Sequence, residues 1–189
     1  GLLLALNLPP RVPEYVAIIG TFVAIVLVKQ LFGGIGYNFI NPALAARAFL
    51  VVSWTGHMTT WVNPSSVDST TSATPLAIVK EGGGELPGLM DMFIGNIGGC
   101  IGETSALALL IGAAYLLIRR VITYEIPLTF IGVTALLTWI LGGEGFFQGD
   151  FIFHVLAGGL IIGAFYMATD YTTSPVTFKG KLIMGAGCG

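Results

Sequence analysis

Gly33-Gly34-Ile35-Gly36-Tyr37-Asn38-Phe39-Ile40-Asn41-Pro42-Ala43 interrupts a chain that is otherwise mostly apolar. It separates the apolar stretch 15–32 from a shorter one at 42–54. Asn41 is a good N-cap and Pro42 a good first helical residue, so a helix should open there. At about 20 residues per bilayer crossing, 42–54 is too short to span and reads as a half-helix. A second interruption, Gly95-Asn96-Ile97-Gly98-Gly99-Cys100-Ile101-Gly102-Glu103-Thr104-Ser105, precedes another apolar run whose helix should start near Thr104. Irregular backbone survives at membrane depth only where protein or a water-filled cavity satisfies it. Two broken segments in one short chain therefore point to a cavity near the middle of a broken-helix fold. Taken singly, either break also reads as an ordinary Gly-rich surface loop.

Composition carries the same message. Of the 189 residues, 54% are hydrophobic and 10% charged, and the mean hydropathy is +0.87. Ordinary globular domains carry roughly 25% charged residues, so a soluble domain of 19.8 kDa would lack the polar surface to cover itself. The chain reads as an all-α polytopic membrane protein in a lipid bilayer. The expected spans are 15–32, 92–118 (its helix shortened by the break), 126–141 and 151–169. Residues 2–8 form the tail of an earlier span and 181–189 the start of a later one. The 27 glycines suit close helix approach. A net charge of −2 without a basic patch leaves no footprint for nucleic acid. Cys100 and Cys188 are too few for a metal site or a disulfide framework, and read as small packing residues. Gly1 opens inside an apolar stretch, and Gly189 follows Gly185-Ala186-Gly187-Cys188 without a helix-ending signal. The expectation is an internal portion of a longer subunit, with residues 1–189 forming a single transmembrane domain.

Basic residues accumulate in cytoplasmic loops. Lys29, Arg119/Arg120 and Lys179/Lys181 then lie inside, while Glu144 in the connection 142–150 and the acid-bearing segment 55–91 lie outside. Arg11 is the basic residue that runs against this scheme. Segment 55–91 contains Val67-Asp68-Ser69-Thr70-Thr71-Ser72-Ala73-Thr74-Pro75-Leu76, a hydroxyl-rich run with one acid and no base. Such a run serves as a helix cap in many proteins. If 75–80 opens a helix, Thr74 sits at or beside its N-cap, a position that suits an anion such as a phosphate.

Ser72-Ala73-Thr74 resembles the flavin-attachment motif of the D subunits of Rnf complexes, the ion-translocating ferredoxin:NAD oxidoreductases. It is also similar to that of the B subunits of sodium-translocating NADH:quinone reductases. The likeness extends to Gly33-Gly34 with Asn41-Pro42-Ala43, to Gly102-Glu103-Thr104-Ser105 and to Ala168-Thr169-Asp170 with Ser174-Pro175, in the family order. Ser before Ala73, where the quinone-reductase subunits usually carry Gly, favours the Rnf type. The resemblance implies a urea-transporter-like bundle of two inverted repeats in a bacterial or archaeal cytoplasmic membrane, crossed several times. It implies FMN joined through its phosphate to Thr74 by a separate, Mg²⁺-dependent transferase, with Asp68, Ser72 and Ala73 as the surrounding motif, and a second, non-covalent flavin, riboflavin. Other membrane and peripheral subunits of an Rnf-type complex would be its partners. Its role would be to pass electrons and to couple them to Na⁺ or H⁺ transport, as part of a translocase and not a complete enzyme. A plain channel or solute transporter of the same architecture is the rival, and has no use for a flavin ester.

Three ionisable residues near the breaks are candidates for the ion path. Arg47 lies on the half-helix among apolar residues, where a charge is costly and by default functional. Glu103 and Asp170 flank broken or terminal helix segments. Tying down carbonyls, for Arg47, and helix capping or pairing with Arg47, for the acids, are the structural alternatives. His57 and His154 lack partners at ligand spacing and read as interfacial or packing residues. Trp54 and Trp61 read as interfacial anchors rather than flavin-stacking groups.

Overall fold

The computed structural model describes residues 1–61, 74–81, 86–143 and 146–189. Among them the chain is helical, with no strand. The order is α1 (Leu2–Leu6), α2 (Glu14–Phe22) running on as a π-helical segment (Val23–Gln30), α3 (Pro42–Ser53), α4 (Thr55–Met58), α5 (Pro75–Glu81) and α6 (Leu89–Ile94). There follow α7 (Ala106–Ile118), α8 (Glu125–Leu141), α9 (Phe151–Leu156), α10 (Leu160–Ile162) running on as a second π-helical segment (Gly163–Met167), and α11 (Phe178–Cys188).

The half-helix forms as its sequence dictates. The Asn41 side-chain oxygen accepts from the backbone N–H groups of Ala43 and Leu44 at 2.9 and 3.3 Å, and Pro42 occupies the first turn. The second break also holds: α6 stops at Gly95, whose φ of 115° is open to glycine and costly for other residues. Helix α7 begins only after Ser105, whose hydroxyl caps Ala108 N–H at 3.3 Å. Residues 92–118 are thus two helices separated by a segment of turns and bends. The run 151–169 contains a break that sequence reasoning missed. Helix α9 ends at Leu156, Gly158 takes φ 68°, and the chain restarts at Leu160. No single helix among the described residues is long and apolar enough to cross a membrane. The segment 55–91 is not loop throughout, because it holds α4, α5 and the start of α6.

Leu4, Val16, Ala24, Ala46, Leu50 and Met167 form the main core, where α1, α2, α3 and the second π-helical segment meet. A smaller core joins α6, the break and α9 through Met92, Ile97, Phe153 and Ala157. The outer surface is not that of a soluble domain. Val52 is 84% exposed, Ile118 79% and Ile183 73%, the apolar exterior expected where hydrocarbon or partner protein replaces water.

The Gly95–Ser105 break is anchored on the end of α1. Gly102 N–H donates to the Leu6 carbonyl at 2.7 Å and Ile101 N–H to the Leu8 carbonyl at 3.2 Å. This approach needs glycine: a Cβ on Gly102 would lie 2.7 Å from Leu6 Cβ and 3.0 Å from Leu6 O. Backbone groups that a regular helix would satisfy internally are satisfied here by another segment.

Candidate functional site

Two cavities lie at opposite ends of three segments. The first, about 250 Å³, is walled by Thr74, Arg47, Glu103, Trp61, Gly98 and Gly158 among others. The second, about 530 Å³, is walled by Asn41, Asp170, Lys29, Tyr166 and the first residues of α1 among others. Two of the three segments line both, and the first reaches the smaller one through a bond to its wall. Leu2–Leu4 face the larger cavity while Asn7, just past α1, binds Arg47. Asn41–Ala43 face the larger cavity while Arg47, further along α3, faces the smaller. Tyr166 and Asp170 face the larger cavity while Gly158 and Gly159 face the smaller. Both π-helical segments wall the larger cavity; such departures from α geometry are frequent at functional sites.

At the smaller cavity, Thr74 is the half-buried residue immediately before α5, and its hydroxyl oxygen accepts from Ala77 N–H at 3.3 Å. The expected capping position is therefore observed. Asp68, Ser72 and Ala73 lie outside the described residues, as do Ser69, Thr70, Thr71 and Glu144. Arg47 is half-buried and donates through Nη1 to the Asn7 side-chain oxygen at 2.7 Å and through Nη2 to Cys100 Sγ at 3.6 Å. It thus ties two side chains and not backbone carbonyls, the structural alternative to a functional role. Glu103 accepts from Cys100 N–H at 3.2 Å and so braces the break itself. Among the described residues no ion pair joins Glu103 to Arg47. Both line the cavity that Thr74 also lines, without pairing to one another.

Asp170 lies apart from this group. Its carboxylate accepts from the hydroxyls of Thr172 and Thr173 at 3.0 and 3.4 Å and from the Asn38 amide at 3.5 Å. Asn38 also donates to Thr172 Oγ1 at 2.8 Å and to the Ile40 carbonyl at 3.1 Å. The first break and the 168–175 motif, far apart in sequence, are thereby joined. Asn41 adds a bond from its amide to the Met167 carbonyl at 3.2 Å.

Several site residues were not singled out by sequence reasoning. Asn7 is 2% exposed; its amide donates to the Leu3 carbonyl at 2.7 Å and reaches Met167 Sδ at 3.8 Å. Its one sequence signal was a lone amide inside Leu2-Leu3-Leu4-Ala5-Leu6-Asn7-Leu8. Cys100, expected as mere packing, is buried but also donates to the Asn7 carbonyl at 3.2 Å. Trp61, read as an interfacial anchor, walls the smaller cavity instead, while Trp54 stacks edge-on with Tyr15 and Phe49. His57 approaches the Tyr15 hydroxyl at 3.4 Å, and His154 the Asp150 carbonyl at 2.7 Å, so neither enters the site.

Comparison with known proteins agrees with this arrangement of motifs. Over 192 residues the chain is 50% identical to the D subunit of the Na(+)-translocating ferredoxin:NAD(+) oxidoreductase complex of Acetobacterium woodii, covering 100% of this chain and 58% of that protein. It is 47% identical over 201 residues to the D subunit of the proton-translocating ferredoxin:NAD(+) oxidoreductase complex of Clostridium ljungdahlii, covering 100% of this chain and 61% of that protein. Identity to the B subunit of the Na(+)-translocating NADH-quinone reductase of Klebsiella pneumoniae is lower, 38% over 199 residues, with 98% of this chain and 48% of that protein covered. The chain thus spans about three fifths of the length of these two ferredoxin:NAD(+) oxidoreductase relatives. All of residues 1–189 match a single family, and the chain belongs to the NQR2, RnfD, RnfE family of membrane subunits.

Proposed function

We propose that this chain is the flavin-carrying part of an Rnf-type D subunit, in a complex that couples electron transfer between ferredoxin and NAD to ion transport. The carrying observation is the position of Thr74: a hydroxyl at the start of a helix, on the wall of a cavity that Arg47 and Glu103 also face. Of these, Thr74 and Arg47 fit a phosphoester. Thr74 supplies the oxygen, and the guanidinium supplies a fixed positive charge to a phosphate that keeps a negative charge after esterification. Trp61 and the glycines at 98 and 158 shape the walls. FMN held there supplies the redox chemistry, and the protein positions and tunes it. Asp68, Ser72 and Ala73 complete the motif in sequence.

The remaining assignments follow the same reading. The protein crosses the cytoplasmic membrane several times within two inverted repeats, with Thr74 outside and Arg119/Arg120 and Lys179/Lys181 inside. Riboflavin is the second flavin, and the larger cavity of about 530 Å³ has room for a fused ring. Arg47, Glu103 and Asp170 line the ion route, with either Na⁺ or H⁺ as the coupling ion. Other membrane and peripheral subunits complete the electron path.

The decisive experiment is in-gel fluorescence of the denatured protein under ultraviolet light, for wild type, Thr74→Ala and Thr74→Val. Wild type should fluoresce and both variants should be dark while still inserting, and peptide mass spectrometry should place one FMN on the fragment ending at Lys80. Fluorescence persisting in both variants, or a flavin mapped to another hydroxyl, would overturn the assignment and leave a non-redox channel as the better reading.

A further inference from the structure

The two cavities are separated by a layer that none of the motifs above explains. Asn7 is at its centre and is almost wholly shielded, 2% exposed. Its side-chain oxygen holds Arg47, which walls the smaller cavity. Its amide holds the Leu3 carbonyl and reaches Met167, whose own carbonyl takes the amide of Asn41, which walls the larger cavity. Contacts from Asn7 therefore reach the wall of each cavity, to Arg47 directly and to Asn41 by way of Met167. From Asn41 to Arg47 along α3 is only roughly 9 Å at the helical rise.

We infer that Asn7 is a positioning residue that holds Arg47 as the barrier to cations between the two cavities. The inference deepens the ion-route reading and rests on it. A guanidinium does not lose its proton in proteins, so Arg47 is a permanent positive charge. Placed in a narrow path, a fixed arginine repels cations. A flexible side chain bars nothing unless it is held, and Asn7 holds it with a short bond from a shielded position, with Cys100 as the second contact. The barrier must stand whenever electrons are not flowing, because an open connection would dissipate the gradient that the complex builds.

The test is passive leak of ²²Na⁺, and of protons followed by a pH-sensitive dye, in vesicles holding the full complex without any electron donor. Asn7→Leu keeps the volume and removes the acceptor; Arg47→Gln removes the charge; Arg47→Lys keeps it. Leak of at least one of the two ions should rise about tenfold or more in Asn7→Leu and Arg47→Gln, and stay well below the Arg47→Gln level in Arg47→Lys. If Asn7→Leu assembles poorly, Asn7→Ser, which leaves a shorter and weaker acceptor, should give an intermediate leak. Wild-type leak in Asn7→Leu, Asn7→Ser or Arg47→Gln, or equal leak in Arg47→Lys and Arg47→Gln, would overturn the inference, the last by showing that the charge is not the barrier. Since no electron donor is present, a wild type without covalent flavin would sink the Thr74 assignment and leave the leak result standing.

Discussion

The two cavities use their charged groups in opposite ways. At the larger one, Asp170 also lines the wall, but Thr172, Thr173 and Asn38 all bond to its Oδ2. At the smaller one, Arg47 and Glu103 each make a bond to the scaffold but face open space without pairing. An acid with one oxygen bonded to two hydroxyls and an amide joins distant segments of the chain. On the proposed reading, the groups left facing the smaller cavity are placed for a ligand. The difference separates Asp170 from Arg47 and Glu103, which the sequence had grouped together.

The contrast breaks most cleanly at the covalent flavin. Thr74→Ala should abolish it altogether, whereas Asp170→Ala should leave the attached flavin in every assembled copy, both read by in-gel fluorescence. If Asp170→Ala also loses the flavin from assembled protein, the two cavities are not functionally separate.

The next effect tests the backbone seam beneath the smaller cavity. Gly102→Val would press a branched side chain onto Leu6, and overpacking of that kind costs about 1–3 kcal/mol. Thermal unfolding of the solubilised complex should shift down accordingly. Gly132→Ala is the control: a Cβ there meets nothing within 4 Å, and in α8 it should be neutral or stabilising by up to about 1 kcal/mol.

Asp170→Asn sharpens the structural side. It keeps the shape but gives three side-chain donors a poorer acceptor, at a cost of about 1–3 kcal/mol if a group is left unsatisfied. Ions moved per electron, measured in vesicles, should fall in this variant if Asp170 also serves the ion route, and stay at the wild-type ratio if its role is only to join the first break to the 168–175 motif.

The smallest effect is expected far from both cavities. Lys181 Nζ lies 4.0 Å from Glu125 Oε2 and donates to Thr123 Oγ1 at 3.0 Å. Lys181→Ala should cost no more than about 1 kcal/mol, the usual range for such pairs, and change neither flavin content nor ion ratio.

Much of the local structure was legible in sequence because its causes are local. Asn41 before Pro42 started α3, Ser105 ended the second break, and Thr74 capped α5, each through a side chain bonding to backbone two or three residues ahead. The break at Gly158 escaped notice because one Gly pair in an apolar run is tolerated in many helices. Only the packing around it decides whether the helix continues. The place of Trp61 on a cavity wall was not foreseen for a related reason, since an aromatic near a membrane boundary has the same composition signal whether it faces lipid or a cavity.

By itself the sequence determined that the chain is a helical membrane protein with two interrupted segments, and its motifs carried the family resemblance. Hydropathy and capping chemistry act over a few residues, so those features are written along the chain. The tertiary structure alone decided that Thr74, Arg47 and Glu103 share one cavity, that Asp170 belongs to another, and that Asn7 stands between them. Those groupings depend on contacts between positions as distant as Asn7 and Met167, which no local pattern encodes. The physical reason is that a buried amide must find its partners somewhere in the folded chain. Which partners it finds is settled only when the helices pack.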